Sequence, residues 1–144
     1  MPAITQHVQD MERTGSVMEL YLTVPVRIEE KLNAEVKEKP HPVLVKALID
    51  TGVTSSVVQE GIAEKMGLRP IGEVKINTPS TEGHHCYKYF LRAILPRHGL
   101  AYEGAFISAP LRGQNIQCVI GRDILSHGIL IYIGYAGEFT LALV

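Results

Sequence analysis

Val43-Leu44-Val45-Lys46-Ala47-Leu48-Ile49-Asp50-Thr51-Gly52-Val53-Thr54-Ser55-Ser56-Val57-Val58 is an apolar run broken by a polar turn. Residues 43–49 are nearly all apolar and include β-branched side chains, which predicts a core strand buried on both faces. The strand stops at Asp50-Thr51-Gly52. A carboxylate released there sits at the edge of a low-dielectric core, where the N–H groups of the turn can orient it. Gly52 has no Cβ and lets backbone or a ligand approach closely. The Thr51 hydroxyl can donate and accept a hydrogen bond at once.

Downstream, Ile62, Ala63 and Met66 at helical spacing predict a short surface helix within residues 59–66, stopped by Gly67. Strand-like residues 74–77 and 86–95 flank Thr78-Pro79-Ser80-Thr81-Glu82-Gly83, whose composition marks a turn, so the whole reads as a long hairpin. Residues 105–109 are a further short strand. Cys118-Val119-Ile120 then runs into Gly121-Arg122-Asp123, where Ile124 and Leu125 begin a turn or two of helix ending at Gly128. Core strand, polar turn with glycine and short helix thus occur twice. Residues 129–133 and 139–143 flank Gly134-Tyr135-Ala136-Gly137 as a terminal β-hairpin.

Upstream, residues 17–28 alternate as a half-buried strand does, with Pro25 marking an edge or bulge. Residues 31–42 are charged and close with Pro40-His41-Pro42, the composition of a solvated connection. Residues 1–16 lack an apolar period and are expected to form a flexible N-terminal arm, leaving 17–144 as one mostly β domain.

At 144 residues there is room for one domain with its own core. The 14 basic residues are interspersed with 15 acidic ones for a net charge of −1, so no cluster of the kind that neutralises phosphates exists and nucleic acid is not an expected partner. Cys86 and Cys118 lack C-x-x-C spacing, which excludes a disulfide framework or a cysteine-built zinc site from the reading. The first sixteen residues hold no apolar signal core, and no stretch approaches the ~20 apolar residues of a membrane span. A soluble, cytoplasmic protein without a membrane partner is the expectation.

The strand into Asp50-Thr51-Gly52 with Ser56 shortly after, the turn at residues 78–83, and Val119-Ile120-Gly121-Arg122-Asp123-Ile124-Leu125 follow one another in an order that resembles the retropepsin-like aspartic proteases. That family comprises the retroviral proteases and their single-domain bacterial and cellular relatives, and the resemblance covers roughly residues 17–143. It implies an all-β, closed or barrel-like acid protease fold with one or two short helices, one lobe per chain. It further implies a homodimeric aspartic endopeptidase acting on extended peptide or protein substrates, in which Asp50 and its copy activate one water without metal or other cofactor. Thr51 and Gly52 then support the active site. Thr78, Pro79, Ser80, Thr81, Glu82 and Gly83 form the flap over the substrate, and Gly121, Arg122 and Asp123 are supporting structure.

Two departures stand out. Retroviral members usually carry Ala and then an acidic residue after the glycine, whereas this chain has Val53 and Thr54, so the ion pair with Arg122 is missing and Asp123 or backbone groups are left to satisfy it. The chain also continues through the hairpin of residues 129–143, which resembles the bacterial members more than the short interleaved terminal strands of retroviral enzymes.

Competing readings attach to the same residues. Asp50-Thr51-Gly52 also fits an ordinary turn, and the fold also fits a dimerisation or peptide-binding module with weak or absent turnover. His84-His85-Cys86 with Cys118 suggests a metal, but adjacent strand residues point to opposite faces. Ser55 and Ser56 lack the G-x-S-x-G setting of a serine nucleophile.

Overall fold

The computed structural model describes residues 3–78, 81–96, 100–111 and 114–144. In chain order they form β1 (Ala3–His7), α1 (Met11–Thr14), β2 (Ser16–Thr23), α2 (Val26–Ala34), β3 (Val43–Ile49), β4 (Val57–Gln59), α3 (Ile62–Lys65) and β5 (Gly72–Thr78). Then come β6 (Thr81–Leu95), β7 (Leu100–Ala109), β8 (Cys118–Ile120), α4 (Arg122–Leu125), β9 (Gly128–Ile133), a 3-10 turn (Gly134–Ala136) and β10 (Glu138–Leu143).

The strands β2-β3-β8-β4-β7-β6 run side by side, and β6 returns to β2 through Tyr21↔Ile94, Leu22↔Ala93 and Thr23↔Arg92, closing a six-stranded barrel. Closure leaves these strands no long open edge. Leu20, Leu22, Val45, Val58, Leu91 and Phe106 fill the interior. In the wall, β3 lies parallel to β8, and β4 is antiparallel to β8 but parallel to β7. That crossing brings the ends of β3 and β8 together, which positions the Asp50 turn. β5 extends beyond the barrel as the outer arm of a hairpin with β6, as the sequence predicts.

β3 spans the residues expected but is not buried on both faces. Val45, Ala47 and Ile49 point inward, whereas Leu44 is half exposed and Lys46 lies on the outer side, because a barrel wall has one dry face. The strand expected to continue to Ile28 ends at Thr23. Pro25 starts a helix there instead: its φ of −59° suits a helix entry, and its carbonyl accepts from the Ile28 and Glu29 N–H groups. Four α-helices occur among the described residues rather than one or two, all short.

Residues 3–16 of the expected flexible arm are not loose. β1 pairs antiparallel with β10 from Ala3↔Ala142 to His7↔Glu138, and β10 pairs with β9, giving a separate three-stranded sheet in the order β1-β10-β9. Ile4, Val8 and Met11 are buried in the main core with Phe139, Leu141 and Leu143. A strand that buries a single side chain, Ile4, and pairs with a neighbour 135 residues away carries little local signal.

Candidate active site

Asp50 is the first residue past β3, where its N–H donates to the Ile120 carbonyl at 2.9 Å as if the β3–β8 ladder ran one step further. Its side chain turns into the loop, and the Gly52 N–H donates to Asp50 Oδ1 at 2.8 Å. A Cβ at position 52 would lie 3.1 Å from the same oxygen, so a glycine keeps the carboxylate's place open. Thr51 and Gly52 are exposed and Asp50 is half-buried, so one carboxylate is presented at the surface on a hydrogen-bonded turn.

The second glycine turn lies underneath and holds the first. The Arg122 N–H donates to the Val53 carbonyl at 2.8 Å and the Asp123 N–H to the Thr54 carbonyl at 3.1 Å. Arg122 Nη1 donates to the Thr51 carbonyl at 2.7 Å and Nη2 to Thr54 Oγ1 at 2.9 Å. Thr54 thus takes the place of the acidic residue, with a neutral acceptor, and backbone rather than Asp123 supplies the second one. Asp123 faces Ser56 instead: its carboxylate accepts from the Ser56 hydroxyl at 2.7 Å and from the Ser56 N–H at 3.0 Å. Gly121 is required here, because a Cβ would lie 2.8 Å from the Val53 carbonyl oxygen. Gly121, Arg122 and Asp123 therefore converge on the loop that carries Asp50.

The β5–β6 hairpin narrows to the pair Thr78↔Thr81 with a register irregularity between Ile76 and Thr78. Pro79 and Ser80 lie outside the described residues, as do the side chains of Thr78, Thr81 and Glu82. Gly83 has φ +67°, a conformation that favours glycine. At its base, Val74, Ile76 and Cys86 pack with Ile107, Ala109 and Val57, so the hairpin shares a small core with the strand that leaves the Asp50 loop.

Cys86 is buried whereas His85 is exposed beside Glu73 at 3.4 Å. Among the described residues no three His, Cys, Asp or Glu side chains are grouped as a metal site. Cys118 is deep in the core, and burial pushes its thiol up to about 12. Ser55 and Ser56 sit in the loop, with Ser56 fully buried and committed to Asp123. No helix among the described residues is long and apolar enough to cross a membrane.

A polar cluster that sequence reasoning missed lies near α3. Glu64 accepts from the Ser108 hydroxyl at 2.7 Å, from the Gly61 N–H at 2.7 Å and from the Tyr89 hydroxyl. Burial alone raises its carboxyl, but these hydrogen bonds outweigh it and hold the group below 4.5. Its one local sign is a glutamate three residues after the helix-opening Gly61, half of a capping box.

No family model and no curated protein matches the chain. Solved structures do. A retropepsin-like aspartic protease from Rickettsia conorii superposes with a TM-score of 0.55 at 14% identity, covering 97% of this chain and 90% of that one. The retroviral protease-like domain of Ddi1 from Leishmania major gives 0.47 at 14% identity over 89% of this chain and 94% of its own. The foamy viral protease-reverse transcriptase in complex with an RNA/DNA hybrid gives 0.46 at 18% identity over 74% of this chain, which spans only 11% of that one. Together with the closed barrel, the Rickettsia likeness gives the chain the retropepsin-like, all-β fold.

Proposed function

We propose that two copies of this chain make one aspartic endopeptidase, each contributing Asp50. The observation that carries the reading is the Asp50 turn: a single carboxylate fixed by the Gly52 N–H at 2.8 Å, at the exit of a buried strand and followed by two exposed residues, on a loop that the Gly121-Arg122-Asp123 turn holds from below. One such carboxylate is half of a water-activating pair, and a two-fold axis supplies the other half.

When Asp50 and the partner's Asp50 lie a few ångströms apart, they share one proton because two like charges cannot both ionise cheaply. The ionised carboxylate takes a proton from the water held between them as the water oxygen bonds to the peptide carbonyl carbon. The protonated one delivers its proton to the carbonyl oxygen. The carboxyl that took the water's proton then passes it to the amide nitrogen while the other recovers a proton from a hydroxyl of the tetrahedral diol, so the C–N bond breaks to give a carboxylic acid and an amine, with one proton left on the pair and no covalent enzyme intermediate.

In this reading Thr51 ties the two turns together across the axis, and Gly52 lines the channel. The β5–β6 hairpin, with residues 78–83 at its far end, is the flap that pairs with an extended substrate strand and excludes water. Gly121, Arg122 and Asp123 hold the loop from below.

The test is digestion of an unstructured protein by the wild type and by Asp50→Asn between roughly pH 4 and 7, where a shared-proton pair works, followed by mass spectrometry of the products. Cleavage by the wild type alone is expected. Cleavage that survives Asp50→Asn overturns the assignment, and substrate binding with no cleavage by either protein would identify a peptide-binding module.

A further inference from the structure

A groove of about 490 Å³ runs between β1 and the first half of β2, away from Asp50, Thr51 and Gly52. Its floor is apolar, with Ile4, Val8, Val17 and Met18 all buried. At its rim stand the exposed Glu19 and the half-buried Lys46, which face each other across the β2–β3 ladder. Both long walls are strand edges that the fold leaves open.

β1 ends the sheet β1-β10-β9 and pairs on its β10 side alone among the described residues. The Val8 N–H donates to the Gly137 carbonyl at 2.8 Å on that side, so the alternation of an antiparallel strand turns the N–H and C=O groups of Thr5 and His7 the other way. The His7 carbonyl takes only its neighbour's side-chain amide, from Gln6 at 3.2 Å, which an incoming N–H can replace. The strand reads Ala-Ile-Thr-Gln-His, without the lysine, proline or bulge that usually blunts an edge. On the opposite wall, β2 meets β6 only at residues 21–23, which leaves residues 17–20 open on that side among the described residues. Continuing the register would set Pro96 opposite Glu19, and a proline has no N–H with which to extend the ladder.

We propose that this groove binds an extended segment of another protein, which enters as a single strand and pairs with the Thr5 and His7 backbone. The dimensions suit one strand: spread over the roughly 17 Å that five strand residues span, the volume is about 5 Å across, close to the spacing of neighbouring strands. A second copy of the chain fits less well, because its strands are already built into sheets and a folded edge does not enter a concave slot of that width. The lining sets the chemistry of the segment. Side chains that alternate along it place apolar groups on the floor and polar or charged ones beside Glu19 and Lys46, while the backbone bonds supply affinity without regard to sequence. The site is independent of the Asp50 pair.

The test selects binders from random linear peptides displayed on phage, with the Asp50→Asn chain as bait, and follows the synthesised peptides by calorimetry and amide hydrogen exchange. Bound peptide is expected to slow exchange at Thr5 and His7. Thr5→Pro/His7→Pro, with circular dichroism to monitor folding, is expected to bind at least about tenfold more weakly, since proline removes the outward N–H groups and spares those that pair with β10. Equal binding by the folded variant overturns the site, as does a library that yields no binder. Protection that falls on residues 50–52 and spares Thr5 and His7 overturns it too. Thr5 and His7 amides that become protected in the chain alone as its concentration rises would put a second copy in the groove and overturn the assignment. Should the proline variant fail to fold, the exchange pattern of the bait decides by itself. Cleavage by the wild type without groove binding keeps the protease and rejects the groove, and groove binding without cleavage does the reverse.

Discussion

The Ser56 hydroxyl donates to Asp123 Oδ1 at 2.7 Å and accepts from the Gly121 N–H at 2.9 Å, so one fully buried oxygen ties the loop after Asp50 to the turn that opens α4. Ser56→Ala leaves that N–H without its acceptor and removes a hydrogen bond to a charged group. The expected loss is about 2 kcal/mol, or roughly 6–10 °C in Tm at fixed protein concentration. An unchanged Tm in a calorimetric scan would mean that this link does not hold the two turns together.

Arg122 works on the same loop from the surface. Its two nitrogens reach the Thr51 carbonyl and Thr54 Oγ1, and its side chain is exposed. Exposed polar contacts contribute little to stability, so Arg122→Ala should cost under about 1 kcal/mol. Under the proposed endopeptidase activity, misplacing the Asp50 turn is more serious, and kcat should fall about tenfold or more with KM little changed. Arg122→Lys should rescue poorly, because an ammonium on a flexible stem does not reproduce a rigid two-pronged donor. Equal kcat in all three proteins would remove Arg122 from any positioning role.

Deleting residues 1–9 separates a built-in strand from a dispensable arm. The deletion removes the β1–β10 ladder and the side chains of Ile4 and Val8, exposed by only 5% and 7%. Each such side chain contributes about 1.5–3 kcal/mol when buried, so the loss of several kcal/mol approaches the whole stability of a typical domain. Ile4→Ala alone should cost about 2–4 kcal/mol in urea unfolding. A truncated chain with the wild-type midpoint would show that β1 adds nothing.

What the sequence reveals and what it hides follow from range. The Asp50-Thr51-Gly52 turn, the Gly121-Arg122-Asp123 turn and both hairpins are written in consecutive residues, and the structure forms each of them there. β1 escapes because a single inward isoleucine in Ala3–His7 has meaning only once β10 is beside it. α2 escapes because Pro25 suits a strand edge and a helix entry equally, and the helix has no fully buried residue to set a clear period. The Ser56–Asp123 link spans 67 residues, and no local pattern announces which acid will meet which hydroxyl.

Glu64 sets a limit on stability in acid. Burial raises its carboxyl, and hydrogen bonds from Ser108, its own and the Gly61 backbone, and Tyr89 more than reverse that, so the folded value lies below the ordinary 4.5. A depressed folded value means that the ionised group stabilises the fold fully above the unfolded pKa and loses that contribution as pH falls through the folded one. Glu64→Gln should therefore be less stable than the wild type at neutral pH by roughly 0.5–1 kcal/mol, a small figure because the side chain is largely exposed and screened. The gap should close as the medium is made more acid than the ordinary carboxyl value. Urea unfolding of both proteins across that range measures it directly. A gap that stays constant or widens in acid would mean that the cluster around Glu64 does not depend on its charge.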